Sequence, residues 1–133
     1  MSLYVTDTHP LVWYTTETYR KLSPKALRAF QRASRGEVLI WVPAMAIWEV
    51  GLLQRIRRVR LKPSFREWAD ALLAQAGFAI ATMDLDTVYS SLDSEPGSDL
   101  FDVSIVATAR QKELPLITKD QAITQSGAIE IFW

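Results

Sequence analysis

Asp7, Glu49, Asp99, Asp102 and Asp120 stand out among the acids of this 133-residue chain because of where they fall. Asp7 ends the apolar run LYVT, and Asp120 follows PLIT by a single residue. If both runs are parallel strands, the two acids share the sheet edge beyond the strand carboxyl ends, where open α/β sheets bind ligands. Either acid alone reads equally well as a cap for the next helix. Glu49, in AIWEVGLL, shares a helical face with Met45, Ala46, Leu52 and Leu53. An ionised carboxylate buried there costs several kcal/mol unless compensated. The alternative is a partly exposed Glu on a helix buried nearly all round. Asp99 and Asp102, three residues apart in GSDLFDVSIVATARQK, lie on a face continued by Val103 and Val106. Asp99 could equally cap a helix there, with Asp102 complementing the positive end of its dipole.

Gathered together, these acids would demand a counter-charge. Two unit charges about 4 Å apart repel by roughly 4 kcal/mol at an effective dielectric of about 20, so the cluster would hold protons or a cation. There is no cysteine and His9 is the only histidine. Oxygen donors alone favour Mg²⁺ or Mn²⁺, and the natural chemistry is metal-assisted phosphodiester hydrolysis. His9 either contacts substrate or packs and caps after the first strand. The basic run RIRRVRLK (55–62) offers Arg55, Arg57, Arg58 and Arg60 as a phosphate-contacting patch, or is a solvated helix end.

The elements that must position these groups alternate. Strands are expected at 3–7, 37–42, 78–82, 115–118 and 129–133. Helices are expected at 23–36 (capped by Ser23, with Pro24 in the first turn), 43–56, 62–77 (Ser64 as cap, Gly77 as stop), 84–93 and from Asp99 to Lys112. A turn or helix starts at Thr8, EPGS (95–98) is a turn, and QAITQSG joins the last two strands. Apolar strands alternating with helices imply a three-layer α/β/α fold around a central, mainly parallel sheet, as one domain over 1–133. Gly51 inside a helix costs roughly 1 kcal/mol relative to Ala, which hints at a close backbone approach. Trp13, Trp41, Trp48, Trp68 and Trp133 are expected mostly in the core, with one or two exposed as a partner surface.

Composition sets the outer limits. The chain is 49% hydrophobic and 23% charged, neither disordered nor membranous, and its 15 basic and 15 acidic residues cancel. It therefore lacks the global cationic signature of nucleic-acid binders. No apolar run reaches the roughly 18 residues of a membrane span. The N-terminus does not resemble a signal peptide, and the lack of cysteine suits a cytoplasmic location.

VTDTHPLVW, AIWEVGLL, DLFDVSIVATA and PLITKDQAI, in that order, resemble the four acidic motifs of PIN domains, closest to the VapC-type toxins of toxin–antitoxin modules. The resemblance spans essentially the whole chain, to the closing IFW. It implies catalytic acids at Asp7, Glu49, Asp102 and Asp120, an auxiliary acid at Asp99 and an auxiliary hydroxyl at Thr118. With those acids, Asp7 and Asp102 are the expected direct metal ligands, and Glu49 and Asp120 act through water or on a second ion. The resemblance also implies a Mg²⁺- or Mn²⁺-dependent ribonuclease, inhibited by a small antitoxin protein and often homodimeric. Leu100 and Val103 stand where the related subgroup usually has Pro and Arg. Two other functions compete. A haloacid-dehalogenase-like phosphatase also starts with an Asp after its first strand, but needs a second Asp where this chain has His9. A catalytically inactive partner-binding module would gain nothing from clustered inward carboxylates.

Overall fold

The computed structural model describes residues 2–93 and 99–133, so the turn expected at 95–98 lies outside the described residues. Buried apolar runs set the strands β1 (Leu3–Thr6), β2 (Leu39–Pro43), β3 (Phe78–Ala81), β4 (Leu116–Ile117) and β5 (Ile131–Phe132). They form one sheet in the order β3-β2-β1-β4-β5, and every pairing is parallel. The helices are α1 (Thr8–Thr15), α2 (Pro24–Ser34), α3 (Ala44–Arg55), α4 (Phe65–Ala74), α5 (Leu85–Leu92), α6 (Leu100–Lys112) and α7 (Gln121–Ser126). The expected three-layer α/β/α architecture is therefore present.

Side-chain alternation along the strands feeds a separate core on each face. Ile40 and Val42 of β2 and Ile117 of β4 join Leu11, Phe30, Val50, Trp68 and Leu72, from α1 to α4. Val5 of β1 and Leu116 of β4 point the other way, to Ile105, Val106 and Ala109 of α6 and Ile123 of α7.

Several local details differ from the sequence reading. Pro43 ends β2 instead of opening the next helix, and α3 starts at Ala44. QAITQS is a helix rather than a plain connection, capped by Asp120 and stopped by Gly127 in a left-handed conformation. The helix expected to stop at Gly77 already ends at Ala74. Gly77 has a different task, because a Cβ there would fall on the Ala33 carbonyl at the end of α2. Gly77→Ala should therefore cost about 1–3 kcal/mol or more through overpacking against backbone that cannot yield, read as a lower urea midpoint. Gly51 does mark a close approach: a Cβ would meet the Phe65 ring at 3.1 Å. Of the tryptophans only Trp68 is buried. Trp13, Trp41 and Trp133 are half-buried and Trp48 is 56% exposed, so fewer sit in the core than expected.

Candidate metal and phosphate site

Chain order around the sheet creates the cavity. The chain runs outward from β1 through β2 to β3, then returns to the other side of β1 as β4. The strand order thus switches between β1 and β4, where crossovers leave in opposite directions and open a crevice at the carboxyl edge. Asp7 follows β1 directly, and its N–H donates to Ile117 O of β4 at 2.9 Å. Asp120 lies three residues beyond Ile117. Around them is a cavity of about 520 Å³ lined by Asp7, Glu49, Asp99, Asp102 and Asp120, together with His9, Pro10, Trp13 and Lys119.

Three of these acids are also helix caps. Asp7 Oδ1 accepts from Thr8 N of α1 at 2.8 Å, Asp99 Oδ1 from Asp102 N of α6 at 3.1 Å, and Asp120 Oδ1 from Ile123 N of α7 at 2.9 Å. Capping and clustering are therefore compatible, since a carboxylate has more acceptor positions than one cap uses. Three helix N-termini converge on the cavity, each with an acid at its mouth.

Thr118 ties two of the acids together. It is fully buried, its hydroxyl donates to Asp7 Oδ2 at 2.7 Å, and the same oxygen accepts from Asp120 N at 3.0 Å. Thr118→Val keeps the shape and deletes both bonds. Groups that orient metal ligands are typically worth 10–100-fold, so a loss of roughly that size in Mg²⁺ affinity is expected by calorimetry, with Thr118→Ser restoring most of it.

The electrostatics follow from burial and crowding. Asp7 is 5% exposed, and burial raises its pKa against the Thr118 and Thr8 hydrogen bonds and the nearby His9, with Asp120 adding to the rise. Asp102 is half-buried and pushed up to about 7, first by burial and then by Asp7, Asp99, Asp120 and Glu49. Glu49 is raised by burial, opposed by Thr8 and His9. Although the Thr8 hydroxyl pulls on Glu49, Thr8 Oγ1 is buried with no partner at hydrogen-bonding geometry. Among the described residues the only ion pairs are Arg32–Glu37 and Arg35–Glu37, so no cavity acid is paired with a base.

This donor set suits a hard divalent cation in chemistry and in charge. No three of its groups converge to hold a metal as the side chains stand, among the described residues.

The expected acids and Thr118 thus meet at one place. Arg55, Arg57, Arg58 and Arg60 do not join them: all four are exposed beyond the cavity lining. Pro10, Trp13 and Lys119 join the lining in addition to the expected residues. Trp13 falls four residues after His9, on the same helical face, and Lys119 precedes Asp120 at the strand edge, so both signals were available.

A parallel sheet with a carboxylate-lined crevice at its switch point defines an α/β protein whose candidate site lies at the carboxyl edge of the sheet. The model of the PIN domain family matches residues 4–127, and the chain belongs to that family. Its fold is similar to that of a chain in VapBC2 from Rickettsia felis, solved bound to a promoter DNA fragment, at 12% identity and TM-score 0.67 over 97% of this chain and 96% of that one. FitAcB from Neisseria gonorrhoeae is similar at 18% identity and TM-score 0.63, covering 98% and 96%. A toxin–antitoxin complex from Klebsiella pneumoniae follows at 20% identity and TM-score 0.55, covering 90% and 87%. No curated protein matches the chain. Among the described residues no helix is long and apolar enough to cross a membrane.

Proposed function

We propose that this PIN domain is a metal-dependent endoribonuclease and the toxin of a toxin–antitoxin pair, acting in the cytoplasm. The observation that carries the reading is the crevice of five acids at the switch point, none of them paired with a base among the described residues. Asp7 and Asp102 would hold Mg²⁺ or Mn²⁺, with Glu49 and Asp120 reaching it through water or a second ion. When bound, such a cation polarises the scissile phosphate and makes the hydrolytic water more acidic. Thr118 fixes the Asp7 carboxylate, and the α7 cap holds Asp120 towards the same space. Asp99 adds negative charge from the start of α6, and its capping bond fixes the turn that carries Asp102. Arg55, Arg57, Arg58 and Arg60 remain candidates for contacts to the RNA backbone away from the crevice.

The toxin–antitoxin complex from Klebsiella pneumoniae that shares the fold supports a small antitoxin as partner. An exposed apolar stripe on α5, formed by Leu85, Val88, Tyr89 and Leu92 at helical spacing, supports a partner or homodimer face. The decisive experiment incubates purified protein with RNA in Mg²⁺ or Mn²⁺, beside excess EDTA and beside Asp7→Asn. Cleavage is expected only for wild type with metal. Cleavage that persists in EDTA would overturn the reading, as would growth unaffected by induced wild-type protein for the toxin assignment.

A further inference from the structure

The crevice has a second chemistry that the acids do not use. Trp13, on α1, is half-buried, packs against the first core and lines the cavity. Trp133 braces it edge-on at 6.3 Å between ring centroids, and the His9 ring lies 6.0 Å away. Two ammonium groups flank it: Lys21 Nζ at 5.8 Å and Lys119 Nζ at 6.0 Å from the ring centroid. Neither lysine has an acidic partner among the described residues. Lys119 adjoins Asp120 in sequence and lines the same cavity, so the cationic wall meets the acidic one.

An indole flanked by free cations matches one unpaired nucleotide: the base has a π-face to stack and its neighbouring phosphates are anionic. A base inside a duplex offers no free face. Resting on the nuclease reading for its substrate, we propose that Trp13 is the stacking platform for an unpaired base beside the scissile phosphate, with Lys21, Lys119 and His9 contacting the flanking backbone. The enzyme then selects single-stranded or looped RNA by the need to splay one base onto Trp13. The free lysines explain how a chain of zero net charge, with an acid-lined crevice, attracts a polyanion. The acids alone would repel it.

The test is fluorescence anisotropy of a labelled 12-nucleotide single-stranded RNA, with Ca²⁺ in place of Mg²⁺. Trp13→Leu is expected to weaken binding by about 5- to 150-fold, the size of one lost base stack, while Trp13→Phe keeps most of the affinity. Lys21→Ala and Lys119→Ala should each reduce the salt dependence by about 0.7 in log–log slope. An abasic nucleotide scanned along the RNA should reproduce the Trp13→Leu loss at one position in wild type and add nothing in the variant. A perfectly paired duplex should compete poorly. The abasic scan needs no substitution, so a poorly folded Trp13→Leu leaves the proposal falsifiable.

Wild-type affinity in folded Trp13→Leu, equal competition by duplex, or no binding by wild type would overturn it. Cleavage in Mg²⁺ with unchanged Trp13→Leu binding would leave the nuclease reading standing and remove this one. Trp13-dependent binding with no cleavage in any divalent metal would do the reverse.

Discussion

Asp102→Asn should abolish metal-dependent RNA cleavage and, at pH 8 without metal, melt at a higher temperature than wild type. The two effects share one cause. Asp102 sits half-buried in the first turn of α6, with its pKa pushed to about 7 by burial and by four neighbouring acids. At pH 8 the folded protein must carry it as an anion, whereas the unfolded chain ionises it freely in water. Asn has nearly the same shape and no charge, so the variant escapes the cost of burying a charge, and the repulsion, without opening a cavity. The same change removes one of two proposed direct ligands. A ligated cation is worth several kcal/mol of transition-state stabilisation, so the rate should fall on the order of 10³-fold or more. Single-turnover cleavage and differential scanning fluorimetry on the same preparation check both effects. A variant that is less stable and equally active would show that Asp102 is an ordinary helix-start residue.

What the sequence disclosed depended on how local each signal was. Ser23 and Ser64 cap α2 and α4 as their positions imply, because a cap is settled within three residues. The parallel sheet was legible because buried parallel strands read as unbroken apolar runs. α7 was not, since six residues of QAITQS carry too little periodicity, and its marks, the Asp120 cap and Gly127 stop, lie at its ends. The role of Gly77 was hidden for another reason: the atom it avoids belongs to Ala33, more than forty residues away in sequence.

The candidate site divides along the same line. A Glu on an apolar face and two Asp residues after strands are visible in sequence, because burying charge is costly wherever the partner lies. The choice between cap and cluster could not be made from sequence. Asp7, Asp99 and Asp120 are both, and only the strand order brings their separate helix ends together. Trp13 and Lys119 carry no comparable cost as isolated residues, so only their spacing to His9 and Asp120 marks them as neighbours of the acids.

The other large effect concerns pH and metal together. Without metal, thermal stability should fall as pH rises from 5 to 8. Asp102, raised to about 7, Asp7 and Glu49 all have folded-state pKa values above their ordinary ones, chiefly through burial. Between the usual carboxylate range and about pH 7 the folded protein therefore binds more protons than the unfolded chain. Stability must decline with rising pH across that window and level off above it. A paired, pKa-lowered acid would give the opposite slope. A divalent cation should reverse the decline, because it takes the place of the protons the acids otherwise retain. At a concentration about 100 times its dissociation constant, a ligand specific to the folded state contributes roughly 2.7 kcal/mol. For a chain of 133 residues that corresponds to a rise on the order of 5–10 °C at pH 8. At pH 5, where protons already occupy the carboxylates, the rise should be small. Melting curves at both pH values, with Mg²⁺, Mn²⁺ or EDTA, provide the measurement, and Asp102→Asn should lose most of the response to metal. An equal shift at both pH values would mean that the ion binds elsewhere. A flat or rising pH profile without metal would mean that burial and crowding in the crevice do not hold Asp7, Glu49 and Asp102 above their ordinary pKa values.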